Sequence, residues 1–305
     1  MKVKGIIMLA LVSFIWGTSF VAQSLGADML PPFTFNGVRC IIGGIALLPC
    51  IWFLDRSDRK GERPKANYRR KDLLIGGLAC GIVLFVASTL QQIGIRYTTA
   101  GKTGFITAFY IVFVPVICFF MKKQTGLQIW LAVGLAFVGL YFLCVSEEFV
   151  LAKEDMILFL SALVYAVHIM VIDHFTMKAP GVKMSCLQFF VAGGLSLPVI
   201  LFSESPKLST FVPAIGPLLY AGVLSCGVAY TLQIIGQRYV KATVASLILS
   251  MEACFSVLAG WLVLKEYLSP KELLGCLLMF GAILIAQVQL PSKAKVVELE
   301  GEEVS

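Results

Sequence analysis

Stretches of about twenty apolar residues, each long enough to cross roughly 30 Å of hydrocarbon as a helix, follow one another along the whole chain with only short polar breaks between them. They predict helices over 5–23, 33–54, 73–95, 102–121 and 127–145, and then over 156–174, 184–203, 214–235, 242–264 and 271–289. The first stretch has Lys2 and Lys4 ahead of it, as a signal peptide would. It lacks a small-x-small site leading into a soluble chain, and it has a counterpart in the second half, so it reads as a first membrane helix. The expected fold class is an all-α membrane protein of ten transmembrane helices.

Composition supports the bilayer as solvent. The chain has 305 residues, 58% hydrophobic and 14% charged, where a soluble domain carries about a quarter charged residues. The net charge of +7 is concentrated in one loop, Arg56 to Lys71, which argues for topology and against a nucleic-acid partner. With the N-terminus inside, the tails and loops on that side hold 18 Lys and Arg and the opposite loops hold 6. Positive charge stays cytoplasmic, so both termini are expected in the cytoplasm of a cell membrane. The acidic tail within 291–305 reads as a solvated, disordered end. The nine cysteines fall in or beside apolar stretches without a CxxC pair, and read as packing residues.

Sliding the sequence on itself by 142 positions aligns Val86 to Tyr97 (VASTLQQIGIRY) with Val228 to Tyr239 (VAYTLQIIGQRY), identical at nine of twelve positions. The same offset pairs Ala100 with Ala242, Lys123 with Lys265 and Gly139 with Gly281, and a shift near 150 brings Gly43-Gly44 onto Gly193-Gly194. The chain thus divides into a five-helix unit over 1–146 and a second over 147–290. Five is odd, so the second copy enters the membrane from the opposite side. Inverted repeats of this kind belong to secondary transporters, whose halves exchange conformations around a midplane site.

Glu252 is the strongest single signal for chemistry. It sits near the middle of the ninth apolar stretch, where a carboxylate costs roughly 2.5–3.5 kcal/mol to insert, and is therefore a candidate for a cavity and for proton coupling. Its repeat mate is Tyr110, polar-tipped at the same depth of the fourth helix. Gln91 and Gln233 are exact repeat mates; amides there suit either solute recognition or helix-to-helix bonding. Trp16 and Ser19 lie in the first helix and Tyr165 and His168 in the sixth, with His168 read as a satisfied core histidine. Arg39 lies about 9 Å of helical rise from the end of helix two and is expected to snorkel to the headgroups. Arg96, Arg238, Lys102 and Lys241 sit at loop boundaries as ordinary basic anchors. Gly77 and Gly81 make a small-xxx-small face, and Gly134, Gly139, Gly275 and Gly281 mark helices five and ten; such faces support close packing or a homodimer. The sequence has no phosphate-binding glycine loop, no HExxH and no embedded Asp pair, so ATP-driven pumping and intramembrane hydrolysis are not expected. No cofactor and no metal are implied.

Taken in order on an inverted repeat, several pieces carry a family likeness. They are Trp16-Gly17-Thr18-Ser19-Phe20, the junctions Ile93 to Tyr97 and Ile235 to Tyr239, Pro115, Met251-Glu252-Ala253 and the segment Lys265-Glu266-Tyr267-Leu268-Ser269. The chain resembles the drug/metabolite transporter superfamily, specifically its EamA-type ten-helix members, over nearly its whole length. The resemblance implies a central cavity lined by helices 1, 3, 4, 6, 8 and 9, with helices 5 and 10 peripheral. On that frame Trp16, Ser19, Gln91, Tyr110, Tyr165, Gln233 and Glu252 are expected to line the substrate cavity. Ala253 stands where proline commonly follows the ninth-helix glutamate, which removes the residue that would kink the helix there. The expected function is secondary export of a small metabolite such as an amino acid, with the lipid bilayer, the solute and protons as partners. The alternatives are a cationic drug exporter of the same fold and a non-transporting membrane scaffold or sensor.

Overall fold

The computed structural model describes residues 2–59, 68–123, 125–144, 155–264 and 269–287. Most of the basic loop, Lys265 to Leu268 and the acidic tail lie outside the described residues. What is described is helical throughout: α1 (Lys2–Met29), α2 (Pro32–Arg59), α3 (Arg70–Tyr97), α4 (Ala100–Phe120), α5 (Leu127–Cys144), α6 (Asp155–Phe175), α7 (Gly181–Glu204), α8 (Leu208–Gly236), α9 (Ala242–Val263) and α10 (Pro270–Gln287). Eight of these are long and apolar enough to span a bilayer and two are shorter apolar helices. The protein is a multi-pass membrane protein.

Each helix divides its surface between lipid and bundle. On α3, Leu74, Leu78, Ile82 and Val86 recur every four residues and are exposed, which places one apolar stripe along the outside. Gly77 and Gly81 lie on another face, where the missing side chains admit α7: a methyl group on Gly77 would meet Leu187, and one on Gly81 would meet Val191 and the Gln188 carbonyl at 2.8 Å. The α3 glycine face is thus filled within the molecule rather than left for a second copy. Gly139 does the same for α5 against α10, approaching the Gly275 carbonyl, whereas Gly134 has no neighbour within 4 Å.

The packing partners exchange between the halves. α1 lies on α8 and α9 and α6 on α3 and α4, while α2 contacts α7 and α8, α7 contacts α2 and α3, and α5 pairs with α10. Replacing each helix by its repeat mate maps this set onto itself. Polar ties fasten the pairs. At one end of α2, Glu204 of α7 accepts from the Phe33 and Thr34 amides (3.0 and 2.6 Å) and from the Thr34 hydroxyl, a carboxylate satisfying the orphan donors of a first helical turn. At the other end Lys183 of α7 pairs with Asp55 at 2.6 Å.

Two further ion pairs tie α4 to α6, Lys102 with Asp155 (2.7 Å) and Lys123 with Asp173 (2.8 Å). They differ in exposure: the Asp155 side chain is 3% accessible and that of Lys123 is 45%. Exposed pairs contribute about 0–1 kcal/mol, whereas a charge-assisted bond to a buried carboxylate is worth roughly 1.5–3 kcal/mol. Asp155→Asn is therefore expected to lower thermal stability in detergent clearly more than Asp173→Asn; equal effects would contradict this reading.

Candidate functional site

The bundle centre is organised by two interruptions. α4 consists of Ala100–Thr107 and Tyr110–Phe120, and α9 of Ala242–Leu249 and Glu252–Ala259. The backbone tightens identically at both breaks. Phe109 N bonds Ile106 O and Ile111 N bonds Ala108 O in α4, and Met251 N bonds Ile248 O and Ala253 N bonds Ser250 O in α9, all three residues back rather than four. Every one of these positions is related by 142. The α9 break thus forms without a proline after Glu252. Ser250 sits in it with its hydroxyl turned back onto the Leu247 carbonyl at 2.8 Å, a side-chain bond that competes with the helical ladder.

Tyr110 and Glu252 begin the second segments of their helices, and the breaks bring them together: the Tyr110 hydroxyl donates to Glu252 Oε1 at 2.8 Å. Both are almost fully buried, 2% and 3% exposed. Beside them lies a narrow cavity of about 320 Å³, open solvent at its mouth included. Trp16, Gln91, Tyr110, Tyr165 and Glu252 line it, joined by Phe20, Gln23, Arg39, Thr107, Ser225 and Tyr230. A polar chain runs along the wall: Gln91 Nε2 donates to Thr107 Oγ1 (3.1 Å), the Tyr165 hydroxyl to Gln91 Oε1 (3.3 Å), and the Tyr230 hydroxyl to that of Tyr165 (3.4 Å). Trp16 rests against Tyr230 with ring centroids 4.6 Å apart. Two buried polar atoms of the lining residues have no hydrogen-bond partner, Trp16 Nε1 and Gln23 Oε1, and such atoms are rare unless a solute or water serves them.

Two of the residues expected on the cavity from sequence lie elsewhere. Ser19 and Gln233 are 0% and 1% exposed and do not line it, and Ser19 Oγ and Gln233 Oε1 are each without a partner. Gln91 and Gln233 are thus equivalent in sequence but not in surroundings. Arg39 is the main correction. It does not reach the headgroups: it is 3% exposed, its Nε donates to Asn36 Oδ1 at 3.0 Å, and it lies on the cavity. Its position seven residues into α2 suggested the interface, but the side chain turns inward. α2 thereby joins the six lining helices, while no described residue of α5 or α10 lies on the wall. His168 is bonded to Gln188 Oε1 at 3.2 Å, a satisfied core histidine. Among the described residues no group of three or more His, Cys, Asp or Glu is placed to hold a metal ion.

Sequence reasoning passed over Gln23, Thr107, Ser225 and Tyr230. Thr107 carried a usable signal, since it lies three residues before Tyr110, one helical turn away on the same face. Ser225 and Tyr230 sit on a stretch of α8, Tyr220–Tyr230, that is wound as a π-helix, and nothing in local periodicity reveals that rewinding. Such stretches are frequent where helices present functional side chains.

The two halves also resemble one family separately: the model of the EamA-like transporter family matches residues 3–145 and again residues 152–287. The chain belongs to the EamA-like transporter family. With it the protein falls in the drug/metabolite transporter superfamily, and its role is transport. It is 31% identical over 283 residues to an uncharacterized transporter of Archaeoglobus fulgidus, covering 92% of this chain and 85% of that protein. It is 25% identical over 296 residues to the uncharacterized transporter YoaV of Bacillus subtilis, covering 91% and 94%. A solved structure described only as a crystal structure of a protein superposes with a TM-score of 0.67 at 17% identity, over 93% of this chain and 96% of that one. At that identity the likeness speaks to the fold alone.

Proposed function

We propose that this EamA-like protein is a secondary transporter that exports a small polar metabolite, of which an amino acid is the type case, by alternating access, and that Glu252 carries the coupling proton. The observation that carries this reading is the Tyr110–Glu252 bond, which joins equivalent breaks of two repeat-related helices on the wall of a polar cavity. Interrupted helices at the bundle centre are where secondary transporters place solute and coupling ions. The titratable or charged groups sharing the wall with Glu252 are Tyr110 from α4, Arg39 from α2, Tyr165 from α6 and Tyr230 from α8; α1 and α3 contribute Trp16, Phe20, Gln23 and Gln91, which do not titrate. Glu252 is the lining carboxylate, so a proton entering from outside would neutralise it and its release inside would reset the site. The cavity supplies binding and proton exchange, and no covalent chemistry on the solute is assigned to it. A cell-membrane location with both termini cytoplasmic follows the 18 to 6 charge split.

Alternating access draws support from an asymmetry between repeat mates. Arg238 donates from Nε to the Thr176 carbonyl and from Nη2 to the Ala179 carbonyl, both 2.5 Å, pinning the end of α8 to the α6–α7 connection. Arg96, its equivalent at the end of α3, is exposed and makes no such bond. In two halves that exchange conformations, one latch is engaged while the other is free. Arg238→Ala is expected to raise amide hydrogen exchange over residues 174–180 while leaving the ends of α3 and α4 unchanged. An unaltered exchange pattern would remove this support.

The direct test is flux into proteoliposomes under an imposed proton gradient, with candidate metabolites first screened for thermal stabilisation of the purified protein. Gradient-dependent flux of a stabilising solute is expected. A protein that folds, binds solutes and shows no flux in either direction would refute transport by this chain.

A further inference from the structure

The cavity holds one formal cation, and its placement says what it binds. We propose that Arg39 anchors a carboxylate of the solute, so that the transported class is small organic acids with a free carboxylate, amino acids among them. This deepens the transport reading and rests on it.

The Arg39 guanidinium is held, not loose. Nε bonds Asn36 Oδ1 at 3.0 Å, Asn36 Nδ2 in turn donates to Thr89 Oγ1 of α3 at 3.0 Å, and the guanidinium carbon lies 5.8 Å from the Phe35 ring centroid. Among the described residues the two terminal nitrogens have no hydrogen-bond partner, and no described carboxylate forms an ion pair with the group. The ion pairs Arg69–Asp72, Lys102–Asp155, Lys123–Asp173 and Lys183–Asp55 lie near helix ends; Arg39 is a charge of the interior with no carboxylate in ion-pair range among the described residues. A buried charge without counterion is costly inside a bilayer, and the cost falls when an anion occupies the cavity. Two parallel N–H groups of a guanidinium match a planar carboxylate in bidentate geometry.

The remaining polar atoms refine the class. Trp16 Nε1, a donor without a partner, lies on the same wall and suits a second contact to an acceptor. Gln23 Oε1 is an acceptor without a partner, and Glu252 has Oε1 taken by Tyr110, leaving its second oxygen to accept from the solute. The described lining thus carries donors, Arg39 and Trp16, and acceptors, Glu252 and Gln23, which together complement a molecule with an anionic group and a donor group, as a zwitterion has. Arg39 is the one guanidinium among the described lining residues, which favours a monoanion over a phosphate dianion, whose second charge would have no cationic partner.

The experiment uses the purified full-length protein in detergent. Binding is read by thermal shift and calorimetry for alanine, leucine, phenylalanine and lactate, alongside the methyl esters of each and the amines that lack the carboxyl group. Acids are expected to stabilise the wild type, and esters and amines to do so far less. Arg39→Gln should weaken acid binding about 10- to 100-fold, the loss associated with a charge-assisted hydrogen bond, with Arg39→Lys intermediate because it restores charge without the fork. Should Arg39→Gln not fold, the acid-against-ester comparison on the wild type decides alone. The assignment is overturned if esters or amines bind as well as acids, if no acid of the panel binds, or if folded Arg39→Gln binds acids like the wild type. Counterflow in proteoliposomes separates the two readings. Arg39-dependent acid binding without flux would leave the assignment standing and sink transport, whereas flux of a solute lacking a carboxylate, unaffected by Arg39→Gln, would do the reverse.

Discussion

Glu252→Gln is expected to abolish the response of transport to an imposed proton gradient while leaving the protein folded. The amide oxygen of glutamine can still accept the Tyr110 hydroxyl bond that Glu252 Oε1 accepts at 2.8 Å, and the side chains are nearly isosteric, so the stability change should stay within about 1 kcal/mol. What the substitution removes is the ability to gain and lose a proton at the junction of the two broken helices. Solute exchange without net proton movement should persist, because the rest of the wall is intact. The measurement is proteoliposome flux at matched and opposed pH, with exchange of labelled solute as the control. Normal gradient-driven transport by the variant would place the coupling elsewhere. Tyr110→Phe is the companion: it leaves a buried carboxylate oxygen without its donor, at a cost of roughly 1–3 kcal/mol, and should lower the unfolding temperature where Glu252→Gln does not.

The second large effect is structural and local. Gly17 faces α9 at the level of the site, and a methyl group added there would overlap Phe255 Cβ and lie 2.7 Å from the Glu252 carbonyl oxygen and 2.9 Å from the Ser256 amide. Two of those three atoms are backbone, which cannot swing aside as the end of a long side chain can. α1 and α9 must separate, and overpacking of this kind costs about 1–3 kcal/mol or more. Gly17→Ala is therefore expected to lower the unfolding temperature strongly and to depress solute binding, because Trp16 and Glu252 sit on the two helices being forced apart. Gly134→Ala and Gly194→Ala serve as controls, since nothing lies within 4 Å of a methyl group at either position. Each should be neutral or slightly stabilising through helix propensity. A Gly17→Ala protein as stable as these controls would refute a tight α1–α9 approach at the site.

How far the sequence reached can be read from particular residues. The ten helices were legible because a bilayer demands long apolar stretches, and that demand is written residue by residue with no need of partners. The equivalence of Tyr110 and Glu252 was legible for a different reason: the duplicated segments still match closely around Arg96 and Arg238, so an offset found in one helix could be carried into the next. Glu252 stood out because a carboxylate in an apolar run is costly whatever surrounds it.

Arg39 marks the limit. In sequence it is a basic residue close to a helix end, and that description fits an interfacial anchor; only the packing of α2 against α7 and α8 turns that face of the helix inward, with Asn36 holding the guanidinium at the cavity. Gln91 and Gln233 make the same point from the other side. Their local sequences are nearly identical, yet one lines the cavity and the other does not: Gln91 donates to Thr107, whose repeat mate is Leu249 and offers Gln233 no hydroxyl. The order of residues is enough to fix the solvent, the helices, the duplication and the family. The two helix breaks, the rewound stretch of α8, the bonds of Arg238 to the Thr176 and Ala179 carbonyls and the composition of the cavity wall emerge only from packing. The physical reason is range: burial in lipid and repeat identity act along the chain, whereas a site is made where faces of seven helices converge, and the direction of each face is set by contacts that no single segment encodes.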